Sequence, residues 1–509
     1  MTAPAATEPL AQRVIKSGFW VFALKFVQEI LYFGRIIILA RLLAPRDFGV
    51  IGIAMLTLAI LDTFSRTGIQ DALVQKKEDI RGFLDTAWTG LLLRGAALCA
   101  LMFVLAPAAA SFFKAPEASG IIRVFGLSQL VVGFVNIGIV EFEKDLRFHK
   151  QFLFHVAGNL TNFFVVVGLA ILFRSVWAFA LADLAGRIVQ VAVSYMIHPY
   201  RPRFRWNREQ MKELFRFGRW VMGSSILIFL VTQGDDIFVG KILGATMLGF
   251  YQMAFKLSNT PTTEISHVIG QVMFPTYAKL QDNPARLKEA YLKVFQVITF
   301  LAFALTAFIL VLGPDFTRLF LGEKWVPMVA SLQILALAGL VRSVVGTTGP
   351  LFYGVGRPEI EARWEFVRLV VLAAGIVPLT LKWQLAGASL AVFLSLFVSA
   401  IGFVGNGLKI MSCSRREYAR YFVPPALSAA ALIGTAWGIA HLAGHGLAGM
   451  ILAVAAGLVV YTALTLVLER RLEYRVLFFA RDRVWPLVRK QANKIMKLFV
   501  RCQATKTSF

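Results

Sequence analysis

The stretch Gly34-Arg35-Ile36-Ile37-Ile38-Leu39-Ala40-Arg41-Leu42-Leu43-Ala44-Pro45-Arg46-Asp47-Phe48-Gly49 decides the fold. It reads as the end of an apolar helix, a basic-aliphatic-Leu segment, a turn through Pro45, and re-entry into a second apolar run. The pattern returns: residues 17–50 align without gaps on 217–250. Identical pairs are Gly18/Gly218, Trp20/Trp220, Val21/Val221, Gly34/Gly234, Ile37/Ile237, Leu43/Leu243 and Gly49/Gly249, while Arg41/Lys241, Leu42/Ile242 and Phe48/Leu248 are similar. Two copies of one helical hairpin are the simplest account; convergence of ordinary apolar hairpins is the alternative.

The surroundings require a membrane. Hydrophobic residues make up 58% of the 509 and charged residues 16%, with a mean hydropathy of +0.68. A soluble domain is about a quarter charged, so this chain has too little polar surface to cover itself. Ordinary globular enzymes and disorder are excluded. A span needs about 20 mostly apolar residues. Fourteen such stretches are present, near 18–40, 48–74, 86–106, 120–140, 151–173, 176–197, 214–240, 246–274, 291–313, 326–350, 364–381, 384–408, 421–443 and 447–468. The expected fold is an all-α polytopic membrane protein of about fourteen transmembrane helices. The hairpin copies fall on spans 1–2 and 7–8. The shift of six spans is even, which preserves orientation and makes the repeat parallel, about an axis along the membrane normal.

The net charge of +24 then has a topological reading. If the N-terminus is cytoplasmic and every span crosses, the outer connections hold only Arg41, Arg46, Lys114, Arg174, Lys241, Arg318, Lys324 and Lys382. Most of the 53 basic residues fall on the other side, as the positive-inside rule expects. Both termini come out cytoplasmic, and no nucleic-acid partner is needed to explain the basic excess. The first span carries Lys25, Glu29 and Arg35, and no cleavage site follows a short apolar core, so it reads as a retained helix rather than a signal peptide.

Charges inside spans cost free energy and mark function by default. The bases are Lys25, Arg35, Arg66, Arg94, Arg123, Arg187, Lys256, Arg342 and Arg368; the acids are Glu29, Asp62, Asp71, Asp183, Asp235, Asp236 and Glu264. Helical spacing groups them. Lys25 and Glu29 are four apart. Asp62, Arg66 and Gln70 form one stripe; Lys256, Thr260, Glu264, His267 and Gln271 form another, kinked by Pro261. In one reading Lys25, Arg66 and Lys256, with Arg35, bind an anion in a hydrated cavity. Glu29, Asp62, Gln70, Asp235, Asp236, Glu264 and His267 then line that cavity or carry a coupling H+ or Na+. In the other, i,i+4 pairs such as Lys25–Glu29 and Asp62–Arg66 lock helices. Arg35, Arg123 and Arg342 also sit where long side chains can snorkel. Asp235 and Asp236 lie near the outer end of span 7, where solvation would satisfy them.

Soluble catalytic motifs, metal-type spacings and dinucleotide turns are absent from the sequence, so no cofactor and no metal is expected. Cys99, Cys413 and Cys502 are too dispersed for a disulfide framework. After span 14, Val484, Val488, Ala492, Ile495 and Phe499 make an apolar stripe flanked by Arg483, Arg489, Lys490, Lys494, Lys497 and Arg501. That pattern suits a helix lying on an anionic leaflet, or a basic tail obeying topology.

The segment Leu39 to Gly49 resembles the first-hairpin motif of Wzx-type polysaccharide flippases, and Gly68-Ile69-Gln70-Asp71-Ala72-Leu73-Val74-Gln75 resembles the end of their second span. These belong to the multidrug/oligosaccharidyl-lipid/polysaccharide exporter superfamily. The resemblance implies two six-helix bundles, residues 1–200 and 201–410, two additional transmembrane helices at 411–470, and a basic amphipathic cytoplasmic tail at 471–509. It also implies a non-enzymatic flippase of the bacterial inner membrane. The substrate would be an undecaprenyl-pyrophosphate-linked oligosaccharide for exopolysaccharide, O-antigen or capsule assembly. Partners would be membrane lipids and a polysaccharide polymerase and export machinery. Two alternatives stay open: a cation-coupled drug or metabolite exporter on the same scaffold, and an integral-membrane glycosyltransferase or polymerase, against which the short outer connections argue.

Overall fold

The computed structural model describes residues 10–76, 80–145, 147–444 and 446–471; within them, the side chains of 10–23, 75, 148, 215–228, 260–269, 271–272 and 471 lie outside the description. The chain is an all-α polytopic membrane protein, and among the described residues there is no strand. In chain order the helices are α1 (Leu10–Leu42), α2 (Pro45–Phe64), α3 (Ile69–Gln75), α4 (Arg81–Phe112), α5 (Ala118–Gly133), α6 (Val140–Lys144), α7 (Phe148–Phe173) and α8 (Trp177–Ile197). They continue as α9 (Arg208–Leu243), α10 (Ala245–Leu280), α11 (Pro284–Phe316), α12 (Val329–Val345), α13 (Gly349–Gly354), α14 (Pro358–Ile410), α15 (Arg415–Ala443) and α16 (Leu447–Arg471).

Local sequence explains many of the ends. Asn207 caps α9 by accepting from the Glu209 and Gln210 amides, and Ser414 caps α15 by accepting from the Glu417 amide. Pro45, Pro284 and Pro358 occupy first-turn positions, where their missing N–H costs nothing.

Nine helices among the described residues are long and apolar enough to cross a membrane, or ten if Ala118–Gly133 and Ile137–Lys144, bent by 72°, form one span. By this measure the expected count of fourteen is not reached. Part of the difference lies in α14, which breaks at Trp383 and Gln384 (φ 48°). A Cβ on Gly387 would meet Leu379, one on Gly375 would approach Ala391, and one on Gly402 would meet Trp364. These contacts step away from the break in opposite directions, so the two halves of α14 run antiparallel. They correspond to the two stretches expected at 364–381 and 384–408. Helices α1, α9 and α10 carry the hairpin copies, have 33, 36 and 36 residues, and lie outside the set of nine.

One expectation fails locally. The stretch 48–74 is not a single helix: α2 stops at Phe64, and α3 starts after Gly68, whose φ is +61°. A left-handed glycine ends the helical register. The stripe Asp62, Arg66, Gln70 is therefore divided between two helices and the turn joining them.

The chain forms two compact units. The first comprises the described residues up to Met253 together with Phe320–Met328. Its core includes Leu39, Leu43, Val166, Ala170, Ala178 and Ala182, where α1, α7 and α8 meet, and a second cluster of α3, α4 and α9 around Leu73, Leu84, Trp88 and Leu214. The segment Phe320–Met328 is tied to the α1–α2 turn. Lys324 Nζ donates to the carbonyls of Arg41 (2.9 Å) and Leu43 (2.7 Å), and Arg41 Nε donates to the Phe320 carbonyl at 2.8 Å. Trp325 is fully buried, edge-on to Phe48 and Phe250. The second unit holds the remaining described residues. Its core includes Tyr277, Tyr291, Phe295 and Tyr418, and a separate cluster where α11, α15 and α16 meet around Ala307, Leu432 and Tyr461.

Candidate functional site

In the first unit, polar side chains at membrane depth converge where α1, α7 and α8 pack. Arg35 Nη1 donates to Asn162 Oδ1 at 2.8 Å, and its guanidinium lies 5.3 Å from the Tyr32 ring centroid. Asp183 is close enough to act on Arg35 electrostatically and also pairs with Arg187 at 3.5 Å. Arg187 in turn donates to Gln190 Oε1 at 3.2 Å. The Gln190 side chain occupies the space a Cβ would need on Gly158 of α7, so at this level α7 and α8 close on a polar side chain, while the apolar cluster of the same helices lies elsewhere along them. An arginine in hydrocarbon is tolerated when paired and hydrogen-bonded. Arg35 meets that condition through its neighbours and does not have to snorkel. It uses one of its five N–H donors on Asn162, leaving others to meet an anion.

The remaining candidates in this unit divide clearly. Lys25, Arg66 and Gln70 are exposed. Glu29 is half-buried, its Oε2 has no hydrogen-bond partner, and the expected Lys25–Glu29 pair is not formed. The expected Asp62–Arg66 pair is not formed either. Asp62 Oδ1 instead meets Arg94 Nη2 at 2.6 Å, and Arg66 lies 3.9 Å from Asp71. Arg94 also donates to the Ser65 carbonyl at 2.8 Å and the Asp62 carbonyl at 3.2 Å. A guanidinium thus caps the C-terminus of α2, where free carbonyls and the helix dipole favour a cation. The end of α2 at Phe64 is the reason: the chain leaves the helix at Ser65, before Arg66, so Arg66 does not share the face that carries Asp62.

Asp235 and Asp236 correct another expectation. They are not solvated: their relative exposures are 4% and 9%. Asp235 Oδ2 accepts from the Tyr251 hydroxyl at 2.6 Å and its Oδ1 accepts from the Asp236 amide at 3.0 Å. Asp236 Oδ1 has no partner. Two adjacent buried carboxylates are a place where a proton or cation can be held.

In the second unit, Lys256 is half-buried on α10 beside Phe255, and the Arg342 guanidinium sits 5.3 Å from the Phe255 ring centroid. Arg368 is buried on α14 and pairs with Glu365 at 3.1 Å. Glu361, one turn earlier, presents a buried Oε2 without a hydrogen-bond partner near Gly349. The side chains of Glu264 and His267, and residues 472–509 of the expected tail, lie outside the described residues. Sequence reasoning missed Asn162 and Gln190 because a search for charge passes over neutral amides. It missed Glu361 because that residue precedes the apolar stretch that was counted.

The comparisons with known proteins agree with this fold. A family model described as "Polysaccharide biosynthesis protein" matches residues 38–330. The lipopolysaccharide biosynthesis protein WzxC of Escherichia coli (strain K12) is 26% identical over 357 residues, 69% of this chain and 71% of its own. The succinoglycan biosynthesis transport protein ExoT of Rhizobium meliloti (strain 1021) is 25% identical over 471 residues, 91% of this chain and 93% of its own. Among solved structures, the lipid II flippase MurJ in an inward closed conformation superposes with a TM-score of 0.73 at 12% identity, covering 88% of this chain and 98% of that one. The family match spans more than half of the 509 residues, and the chain is a member of the polysaccharide biosynthesis protein family.

Proposed function

We propose that this protein is a flippase that moves undecaprenyl-pyrophosphate-linked oligosaccharide repeat units across the bacterial inner membrane, for exopolysaccharide, O-antigen or capsule assembly. The observation that carries the reading is the family membership of an all-helical membrane chain whose near-full-length relative ExoT is named a transport protein. The physics fits. A pyrophosphate and a sugar chain do not cross hydrocarbon unaided, whereas basic groups on membrane helices compensate the phosphate charge at low dielectric. Lys25, Arg35 and Arg66, together with Lys256, are the residues assigned to the pyrophosphate. Asp235 and Asp236 are the carboxylates best placed to carry a coupling H+ or Na+, with Glu29 as a further candidate. The protein acts by alternating access and performs no covalent chemistry. Its termini are cytoplasmic, and a polymerase and export machinery take up its product.

The test is genetic and chemical. Deleting the gene should cause a lipid-linked oligosaccharide to accumulate on the cytoplasmic side. Arg66→Ala and Lys256→Ala should each abolish complementation while the protein still reaches the membrane. Wild-type export by both variants would remove the cationic assignment. Export of a solute without any lipid carrier would replace the flippase with a drug or metabolite exporter.

A further inference from the structure

The connection between α8 and α9 reads His198-Pro199-Tyr200-Arg201-Pro202-Arg203-Phe204-Arg205-Trp206-Asn207 and leads into Arg208. Topology accounts for the number of its arginines but not for how they are held. The backbone is fixed at several points although it has no helix or strand. Tyr200 donates its hydroxyl to Asp85, and the Arg203 amide donates to Asp85 Oδ1 at 3.0 Å. The Arg205 amide donates to Thr89 Oγ1 at 3.2 Å, and Asn136 Nδ2 donates to the Tyr200 carbonyl at 2.7 Å. Phe204 lies edge-on to Trp88 at 5.8 Å. Pro199 and Pro202 stiffen the segment further.

On this rigid segment Arg201, Arg203, Arg205 and Arg208 are all exposed, and among the described residues none forms an ion pair with a carboxylate. Asp85, which meets this segment, is already engaged by the Tyr200 hydroxyl and the Arg203 backbone, and Glu141 by His198. Arg201 differs from the others because its Nη1 donates to the His198 and Tyr200 carbonyls. Phe204 and Trp206 are 70% and 54% exposed, next to Met196 at 82% at the end of a membrane-spanning helix. Uncompensated guanidiniums interleaved with exposed aromatics at a helix end suit a bilayer surface. Trp and Phe enter the interface, and Arg meets phosphate with paired donors.

We propose that Arg203 and Arg205, with Phe204 and Trp206, form a preorganised site for the phosphate headgroup of an anionic bilayer phospholipid. The site is independent of the flippase reading, since a transporter of any cargo can be anchored this way. The transported lipid also carries phosphate, but the exposed aromatics and the position at the end of α8 favour a lipid of the surrounding leaflet.

The experiment uses the full-length protein, delipidated in a neutral detergent and titrated with phosphatidylglycerol or phosphatidylcholine, with bound lipid read by native mass spectrometry. Wild type should retain phosphatidylglycerol in preference to phosphatidylcholine, and the preference should weaken with salt. Arg203→Gln/Arg205→Gln should lose that preference roughly thirtyfold, from the attraction of about two basic residues for an anionic surface. Arg203→Lys/Arg205→Lys should keep most of it. Both variants leave the backbone hydrogen bonds and Arg201 in place. Equal phosphatidylglycerol retention by wild type and the Gln variant would overturn the site, as would equal losses in the Gln and Lys variants. So would binding of soluble inorganic pyrophosphate that the Gln variant abolishes, which would assign these arginines to the cargo.

Discussion

Gly49 and Gly249, equivalent positions in the two hairpin copies, make reciprocal contacts. A Cβ on Gly49 would lie 1.7 Å from the Ala245 carbonyl oxygen, and one on Gly249 would lie 2.1 Å from the Pro45 carbonyl oxygen. Each copy thus places its glycine against the first residue of the other copy's second helix. Three residues on, Gly52 faces the side chain of its repeat partner, Gln252. The hairpins pack as a symmetric pair at backbone-to-backbone distance, which only glycine permits.

Replacing either glycine by alanine forces these helix starts apart. Gly49→Ala and Gly249→Ala should each destabilise the protein by about 1–3 kcal/mol, the cost of overpacking a tight contact. Gly234→Ala is the control, because nothing lies within 4 Å of its would-be Cβ. Thermal unfolding in detergent checks all three. Equal melting temperatures for the three variants would contradict the reciprocal contact.

Trp325 Nε1 donates to the Ala40 carbonyl at 2.9 Å from a fully buried position. Trp325→Phe keeps most of the ring volume but leaves that carbonyl without its donor, a cost of about 1–3 kcal/mol. Trp325→Ala should cost about 3–5 kcal/mol. Graded losses of melting temperature in that order are expected.

Arg94 and Arg66 should behave differently although both lie near the end of α2. Arg94→Gln removes the Asp62 pair and the α2 cap, so it should lower thermal stability, and Lys should restore part of the loss. Arg66→Ala should cost less melting temperature than Arg94→Gln, since the Arg66 side chain is about half exposed and exposed ion pairs contribute little. The defect of Arg66→Ala should appear in export.

His198, at the end of α8, is held below the usual histidine pKa. Burial is the main cause, and Glu141 at 3.3 Å opposes it, while Lys150 and Arg147 add to it. The unfolded chain therefore binds this proton more readily than the folded one. The contribution is fully present above the unfolded value of about 6.5 and is lost as the pH falls below it. Melting temperature should drop on acidification through that range. His198→Gln should flatten the drop; an unchanged profile would assign it to other groups.

Asn162 couples the α1 arginine to α7. Asn162→Ala should reduce export by leaving Arg35 without its hydrogen bond, and Asn162→Asp should retain more activity because a carboxylate still accepts. Export complementation at matched membrane levels reads both.

The sequence alone determined the class of molecule. Apolar runs of bilayer length, alternation of basic connections and the hairpin copies each follow from the chemistry of lipid and water acting on local composition. They were legible without contacts, down to the reversal inside α14 and the turns after Leu42 and Leu243. The tertiary structure decided the partners. Asp62 selects Arg94 over Arg66 because α2 ends at Phe64, between Asp62 and Arg66, and leaves Arg66 in the turn that follows. Arg35 is held by an asparagine that carries no charge to attract notice. Asp235 and Asp236 are buried because Tyr251 and the packing of the hairpin pair exclude water from them. Helical periodicity fixes which residues share a face. Which face meets which depends on breaks and crossings, and those are set by the whole packing of the chain.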